Sequence, residues 1–162
     1  MNRREALAGG LGLIATAAAG RAATAADDAR PMVTRAIPSS GETLPVIGLG
    51  TSGPFEVGDS PTERAPLSEV LEEFFAGGGR VIDTSPMYST AEAVLGDLLT
   101  PQMHEQVFLA TKVWTRGRQA GIDQMTRSAQ LLKHPRLDLI QVHNLLDVRT
   151  HMRTLREWKE KG

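Results

Sequence analysis

The 162-residue sequence contains no cysteine. Disulfide bonds, thiolate nucleophiles and cysteine-type zinc sites are therefore excluded, and the sequence predicts no metal site. Aromatic residues make up only 4% of the chain, and the formal net charge is -1. A charge so close to neutral gives no electrostatic reason to expect nucleic acid or an anionic membrane surface as a partner. The apolar content of 41% is instead typical of a globular protein.

The first 30 residues differ in composition from the rest of the chain. Arg3 and Arg4 precede an apolar run over residues 6–19, and small residues continue to Ala26. This order is typical of a secretory signal, and the run is shorter than the roughly 20 residues that span a membrane. The paired arginines favour twin-arginine export to the periplasm, with no membrane span after signal removal. The alternatives are an uncleaved tail on a cytoplasmic protein or a membrane-anchoring helix.

The remaining residues, 31–162, alternate between strand and helix patterns. Residues 33–49 predict a β-hairpin that leads into a first core strand, with turn residues at 39–42. Four strand–helix units then follow at roughly 30-residue spacing, the size of a βαβ unit. The strands are near-continuous apolar runs, which indicates a parallel sheet covered by helices; they are residues 46–49, 81–82, 107–110 and 137–142. Either an open doubly wound sheet or half of an eight-stranded barrel fits this α/β pattern.

Apolar residues at helical spacing predict four amphipathic helices. Pro66 predicts the first turn of the first helix, and the glycines at 77–79 predict its end. The apolar face of this helix is predicted to contain Leu67, Val70, Leu71, Phe74 and Phe75. The face of the fourth helix, which runs to the chain end, is predicted to contain Val148, Met152, Leu155 and Trp158.

Reactive side chains stand where the predicted strands end. The first four strands end at or just before Thr51, Asp83, Lys112 and His143, and Tyr88 lies on the loop after the second. Because the carboxyl ends of parallel strands share one rim, we expect these residues to converge. Each alone has an ordinary explanation as a cap, a packing aromatic or a solvated charge. Their placement on one rim favours a catalytic site.

This set of side chains is suited to protonating an oxyanion. A tyrosine is a poor acid near neutral pH unless a nearby cation favours its ionised form, and Lys112 is the candidate cation. The carboxylate of Asp83 would orient that ammonium. His143 could donate a hydrogen bond to a carbonyl oxygen and polarise the carbonyl group. Such a site would serve a reaction in which hydride reaches a carbonyl carbon.

Four segments of the chain resemble motifs of the aldo-keto reductase family. They are Gly48–Thr51 at the first strand end, residues 79–96 after the second strand, Ala110–Trp114 with the lysine, and Asp138–Asn144 with the histidine. The resemblance extends from about residue 33 to residue 162. It implies a (β/α)8 TIM barrel closed at its bottom by an N-terminal hairpin, of which this chain contains the hairpin and about four βα units.

The resemblance also implies an activity, the NADPH-dependent reduction of an aldehyde or ketone to an alcohol. By motif, Tyr88 is the general acid, Lys112 and Asp83 tune it, and His143 orients the carbonyl group. The implied partners are a small-molecule carbonyl substrate and NADP(H), with NAD as the alternative cofactor.

Further positions are implied to bind the cofactor or the substrate. Gly50, Thr51 and Asp83 match positions that face the nicotinamide end of the cofactor, and Asn144 matches a position near the nicotinamide carboxamide. By analogy, Phe55 and Trp114 line the substrate pocket, although both could equally be aromatics that pack a loop.

The length departs from the family. A (β/α)8 barrel typically needs about 250 residues. The family's fifth to eighth strands and their loops carry the residue that stacks on the nicotinamide and the basic residues that bind the adenosine phosphate. The sequence is therefore a fragment of a longer reductase or the partner of another chain, which would be the missing C-terminal half-barrel. The alternative function is that of a non-catalytic or truncated relative acting as a binding or regulatory subunit.

Overall fold

The structure is a computed structural model and describes residues 32–134 and 136–161. The predicted export segment, residues 1–30, lies outside the described residues. The described part consists of a small hairpin followed by a parallel sheet with connecting helices. None of its helices is both long and apolar enough to cross a membrane.

The N-terminal hairpin pairs strand β1 (Thr34–Ala36) with strand β2 (Thr43–Pro45) in antiparallel orientation. The turn between them closes through a 2.7 Å hydrogen bond from the backbone N–H of Ile37 to the carbonyl oxygen of Glu42. Gly41 has φ +76°, a left-handed conformation that glycine adopts without a steric penalty. The structure thus confirms the predicted hairpin and its turn.

Four parallel strands form the main sheet. They are β3 (Gly48–Gly50), β4 (Val81–Asp83), β5 (Phe108–Val113) and β6 (Leu139–Val142). Their spatial order is the same as their order in the chain. A doubly wound sheet reverses its strand order at a switch point, whereas a barrel does not. The sequential order therefore favours the barrel over the open sheet. Among the residues that the structure describes, β3 and β6 are the edge strands of this sheet.

Helices connect the strands and extend the chain beyond β6. They are α1 (Pro61–Ala76), α2 (Ala91–Leu98), α3 (Pro101–Gln106), α4 (Arg118–Leu131) and α5 (Val148–Lys161). The sequence reading did not predict α3. Its start is marked by Thr100, whose side-chain oxygen accepts a hydrogen bond from the backbone N–H of Met103, and by a proline at the next position. Both features are signals for the beginning of a helix.

The first helix begins earlier than the sequence predicted. Pro61 occupies the first turn after the N-cap residue Ser60, and Pro66 lies inside the helix. The first-turn position tolerates proline because its missing N–H has no intrahelical partner there, so Pro61 takes the role expected of Pro66. As predicted, the helix ends at the glycines, with Gly77 as its C-cap residue.

The core lies between the sheet and the helices. All six residues of β5 are buried, and the fully buried side chains around them include Leu71, Ile82, Leu95 and Leu132. Two predicted core positions are instead exposed, namely Val70 at 44% and Met152 at 38%. These two side chains lie on the terminal helices α1 and α5, which follow the edge strands of the sheet.

Candidate active site

An ion pair between two neighbouring strands forms the centre of the rim. Nζ of Lys112 in β5 lies 2.6 Å from Oδ2 of Asp83 at the end of β4, and it also donates to the carbonyl oxygen of Thr84 at 2.8 Å. Lys112 is only 8% exposed, so its ammonium group has little access to water. The two charge-assisted hydrogen bonds compensate for this burial. Its location is fixed by the packing of the central strand.

The second carboxylate oxygen of Asp83 is also bonded. Oδ1 accepts a 2.8 Å hydrogen bond from Nε2 of Gln141, which lies in β6. Asp83 therefore connects three adjacent strands of the sheet through its side chain. Sequence reasoning missed Gln141, although it lies two residues before His143 in the segment that resembles the family's histidine motif.

Tyr88 is placed beside the same ammonium group. Nζ of Lys112 lies 5.0 Å from the centroid of the tyrosine ring, within the range of a cation–π interaction. The loop is held by hydrogen bonds from the Tyr88 N–H to the carbonyl oxygen of Ser85 and from the Ala91 N–H to the carbonyl oxygen of Tyr88. The tyrosine is thus positioned by the first turn of α2 and by a lysine of the central strand.

His143 completes the set from the edge strand. Its ring is perpendicular to that of Tyr88, with an interplanar angle of 83° and centroids 6.0 Å apart. Its Nδ1 lies 3.0 Å from Oγ of Ser85, and that oxygen accepts a hydrogen bond from the backbone N–H of Met87. We assign the Ser85 proton to the bond with Nδ1, which leaves the ring proton of a neutral His143 on Nε2.

The electrostatic surroundings keep His143 neutral. Partial burial lowers the pKa of His143 below its usual value near 6.5, and the nearby charge of Lys112 lowers it further. The carboxylate of Asp83 acts in the opposite direction but does not reverse the shift. Near neutral pH the imidazole is therefore uncharged, and its Nε2–H is a hydrogen-bond donor for a carbonyl oxygen.

The predicted nicotinamide-facing residues do not all present side chains at the rim. Thr51 is fully buried, and its hydroxyl donates to Oγ1 of Thr84 at 2.9 Å, with the carbonyl oxygen of Asp83 at 3.2 Å. Gly50 is exposed, and a Cβ atom at this position would meet no other atom within 4 Å. Asn144 is exposed next to the histidine, with φ +54°. The exposed surface at Gly50 and the exposed position of Asn144 leave space at the rim for a planar group.

The two predicted pocket aromatics occupy different environments. Trp114 is 39% exposed, and its ring centroid lies 6.4 Å from that of His143, so it is at the rim. Phe55 is 1% exposed and packs in the hydrophobic core with Leu67 and Leu71. Phe55 therefore packs its loop against the core, as in the alternative interpretation, and does not line an open pocket. The reason is that its loop folds back, with the Phe55 N–H donating to the carbonyl oxygen of Thr51.

A buried carboxylate behind the rim was also missed. Glu92 of α2 is 3% exposed, and its carboxylate accepts hydrogen bonds from Thr111 at 2.6 Å and Ser128 at 3.1 Å. Burial raises the pKa of Glu92 above 4.5, although the two hydroxyl groups and Lys112 act to lower it. The side chain joins α2, β5 and α4 directly behind the lysine. The sequence feature that could have identified Glu92 is its position within residues 79–96, the segment that resembles a motif of the family.

The rim can therefore perform acid–base chemistry on a carbonyl group. It brings together a phenol, an ammonium group beside the phenol ring and a neutral imidazole. These groups can donate a proton to a developing oxyanion and a hydrogen bond to the same oxygen. Across residues 32–134 and 136–161, no group of three or more histidine, aspartate or glutamate side chains could hold a metal ion.

Comparisons with known proteins identify relatives of this arrangement. The sequence model of the Aldo/keto reductase family matches residues 46–162. The structure is similar to an aldo-keto reductase from Pseudomonas aeruginosa, with a TM-score of 0.60 and 24% identity over 70% of this chain and 48% of that chain. It is also similar to a thermostable aldo-keto reductase in complex with the inhibitor epalrestat, with a TM-score of 0.61 and 25% identity over 69% and 43% of the two chains.

No curated protein sequence matches the chain at a significant level. The chain spans about half the length of the two solved relatives. The sequential parallel strands and these structural similarities confirm the predicted fold, the N-terminal part of a (β/α)8 barrel. Because the family match extends over residues 46–162, more than half of the sequence, the chain belongs to the aldo/keto reductase family.

Proposed function

We propose that this chain supplies the proton-transfer half of an NADPH-dependent oxidoreductase that reduces an aldehyde or ketone to an alcohol. The observation that carries the proposal is the position of the Lys112 ammonium group. It contacts the Asp83 carboxylate at 2.6 Å and lies 5.0 Å from the ring centroid of Tyr88. A cation beside the phenol is what a tyrosine requires to act as an acid near neutral pH.

Tyr88 donates the proton in this mechanism. When the carbonyl carbon is reduced, its oxygen acquires negative charge, and the hydroxyl of Tyr88 transfers a proton to it. The ammonium of Lys112 then stabilises the phenolate that remains. Asp83 and the carbonyl oxygen of Thr84 keep that ammonium in place through bonds of 2.6 and 2.8 Å.

His143 positions the carbonyl group. As a neutral imidazole it donates a hydrogen bond from Nε2 to the carbonyl oxygen, which polarises the bond and aligns the oxygen with Tyr88. The bond between Nδ1 and Ser85 fixes the ring orientation at 3.0 Å. Trp114, exposed beside the histidine, is the candidate for contact with the substrate.

A nicotinamide cofactor, NADP(H) or alternatively NAD(H), supplies the hydride when it is bound. Gly50, Asp83 and Asn144 would hold its nicotinamide end, because they lie at the exposed rim beside the acid–base residues. The substrate is a small carbonyl compound. Export through a twin-arginine signal in residues 1–30 belongs to the same proposal, since that route suits a protein that folds before it is exported.

A second candidate function is a non-catalytic binding or regulatory subunit. The intact set of Asp83, Tyr88, Lys112 and His143 supports the first candidate instead. The two candidates differ in whether the rim turns over a carbonyl substrate once a second half-barrel is supplied.

The test is a chimera in which residues 31–162 are joined to the C-terminal half of the Pseudomonas aeruginosa relative. We expect this chimera to reduce 4-nitrobenzaldehyde with NADPH. The reaction is measured as the loss of NADPH absorbance. Tyr88→Phe should lower the rate by at least about 100-fold, because it removes the proton donor. NADPH affinity, measured by fluorescence, should stay unchanged.

The matched control is Met87→Leu, a change of an exposed side chain on the same loop, which should leave the rate unchanged. A Tyr88→Phe chimera with the original rate would refute the role of Tyr88. A chimera that binds NADPH but reduces no carbonyl compound would favour the non-catalytic subunit.

A further inference from the structure

The loop that follows the central strand carries Trp114, the exposed aromatic residue at the rim. Residues 114–117 connect the end of β5 to the beginning of α4. The ring centroid of Trp114 lies 6.4 Å from that of His143. Loops are usually more mobile than the elements that they connect. The backbone of this loop is instead bonded to side chains from α4, from α5 and from the residue directly before α5.

The side-chain amide of Gln124 binds both polar backbone groups of Trp114. Its Oε1 accepts a hydrogen bond from the Trp114 N–H at 2.6 Å, and its Nε2 donates to the Trp114 carbonyl oxygen at 3.3 Å. Because the backbone N–H only donates and the carbonyl oxygen only accepts, these partners assign the two ends of the amide. Gln124 lies in α4, so the two bonds attach the end of the central strand to the helix that follows it.

Two further side chains bind the rest of the loop. Nε2 of the fully buried His151 lies 2.8 Å from the carbonyl oxygen of Thr115, and because that oxygen only accepts, we assign the ring proton to Nε2. Oδ2 of Asp147 accepts a 2.8 Å hydrogen bond from the Gly117 N–H. With the two bonds to Gln124, four backbone groups of this four-residue loop are bonded to side chains outside it.

A glycine in α4 allows close packing behind the loop. A Cβ atom at Gly121 would lie 2.5 Å from Cε1 and 2.6 Å from Nδ1 of His151. A larger residue at this position would therefore displace the imidazole ring. Glycine lowers the intrinsic stability of a helix, but it permits such a close approach. The packing of α4 against His151 thus supports the bond from His151 to the loop.

We propose that Gln124 is a positioning residue that holds Trp114 as a fixed wall of the substrate pocket. The inference rests on the proposed function, in which Trp114 is the candidate for contact with the substrate. Both polar backbone groups of Trp114 are bonded, so the indole keeps its place beside His143 before a substrate arrives. An aromatic substrate then stacks on a surface that is already ordered, which lowers the entropic cost of binding.

Gln124 is separate from the groups that transfer the proton. Of the three side chains that bind the loop, it is the one bonded to Trp114 itself. The ammonium of Lys112 is held by different partners, namely Asp83 and the carbonyl oxygen of Thr84. A substitution of Gln124 should therefore weaken the binding of an aromatic substrate and leave the chemical step unchanged, which raises KM without lowering kcat.

The first test follows the indole in the full 162-residue chain. The chain has two tryptophans, and Trp158→Phe leaves Trp114 as the single one. In this background, Gln124→Met removes both hydrogen bonds while the side-chain volume is nearly kept. We expect acrylamide to quench Trp114 about twofold more strongly and the fluorescence anisotropy to fall, because the loop is released. Unchanged quenching and anisotropy would overturn the proposal.

Gln130→Met is the matched control, because Gln130 is an exposed glutamine of the same helix. It should leave the quenching and the anisotropy of Trp114 unchanged. Gln124→Asn is a second removal variant, which keeps the amide but shortens the side chain by one methylene group. It should have the same effect as Gln124→Met. Circular dichroism and urea unfolding ensure that only folded variants are compared.

The second test measures two aldehydes with the chimera that contains the Pseudomonas aeruginosa half. Gln124→Met should raise the KM for 4-nitrobenzaldehyde about fivefold and leave kcat unchanged, because a fixed stacking surface is lost. Propanal has no ring to stack, so its KM should stay the same. In a Trp114→Ala background, Gln124→Met should have no further effect on the KM for 4-nitrobenzaldehyde, since it acts through the indole.

The outcomes distinguish this inference from the proposed function. Equal changes in KM for the two aldehydes would show general damage to the site and would overturn the role of Gln124. An undiminished effect in the Trp114→Ala background would overturn it as well. A chimera that reduces neither aldehyde would count against the proposed function, and the fluorescence of Trp114 would still decide whether Gln124 holds it in place.

Discussion

The central and edge strands of the sheet differ in how completely this chain packs them. All six residues of β5 are buried, whereas all four residues of β6 are at least partly exposed. Lys112 belongs to the buried strand, and His143 directly follows the exposed one. The difference indicates that Tyr88, the proposed proton donor, and Lys112, the cation beside it, are held by the hydrophobic core of this chain. The group that orients the carbonyl lies at the edge, where a neighbouring strand would cover it.

The largest expected effect is on stability, in a matched pair of Leu→Ala substitutions. Leu109 in β5 is fully buried, so Leu109→Ala should lower the free energy of unfolding by about 2–5 kcal/mol. Leu139 in β6 is 44% exposed, so Leu139→Ala should cost about 1 kcal/mol or less. Urea unfolding monitored by circular dichroism compares the two. Equal losses would show that the edge is covered as tightly as the centre.

A smaller effect is expected when the cation is removed from the central pair. Lys112→Met should cost about 1–3 kcal/mol, because it leaves Asp83 without its charged partner while the side-chain volume is kept. Gln141→Leu, which removes the edge-strand bond to the same carboxylate, should cost less. Chemical denaturation of both variants gives the comparison. A greater cost for Gln141→Leu would reverse the ranking of centre and edge.

Glu92 and His143 should change the free energy of unfolding with pH in opposite directions. The raised pKa of Glu92 means that its contribution is fully present below pH 4.5 and is lost as the pH rises through the folded-state pKa. The lowered pKa of His143 means that its contribution is present above pH 6.5 and is lost as the pH falls through the folded-state pKa. Unfolding free energies of the wild type, Glu92→Gln and His143→Asn between pH 4 and 8 test both signs. A Glu92→Gln variant with the same pH slope as the wild type would contradict the first.

The smallest expected effect concerns the hydrogen bond that orients the histidine. Ser85→Ala removes the hydroxyl 3.0 Å from Nδ1 of His143 and leaves the remaining site intact. In the chimera we expect kcat to fall by about tenfold with little change in NADPH affinity, because one neutral hydrogen bond is lost. Ser85→Thr, which keeps a hydroxyl, should restore part of the rate. An unchanged rate in Ser85→Ala would remove Ser85 from the positioning role.

Much of the fold followed from patterns that are local in the sequence. The turn at 39–42, the apolar strand runs and the glycines after α1 each act over a few residues, and the structure has the predicted hairpin, parallel strands and helix end. The convergence of Asp83, Lys112 and His143 on one rim followed from the geometry of parallel strands alone.

The remainder depends on neighbours that a linear pattern does not identify. Val70 and Met152 fit an apolar helical face by spacing, yet they are exposed because α1 and α5 have a neighbouring helix on one side only within the described residues. Two further features, the inward turn of Phe55 and the partners of Glu92, arise from contacts between separate segments of the chain. The start of α1 was predicted at Pro66, but the helix begins at Pro61 and Pro66 lies inside it.

The most direct test of this division between proton transfer and hydride transfer uses the 162-residue chain by itself. Titration of the purified chain with NADPH should leave the nicotinamide fluorescence unchanged, and no reduction of 4-nitrobenzaldehyde should follow. The reason is that the basic residues expected to bind the adenosine phosphate of the cofactor belong to the family's fifth to eighth strands and their loops. Fluorescence quenching together with turnover by the chain alone would show that it carries the hydride side as well, and would contradict the division.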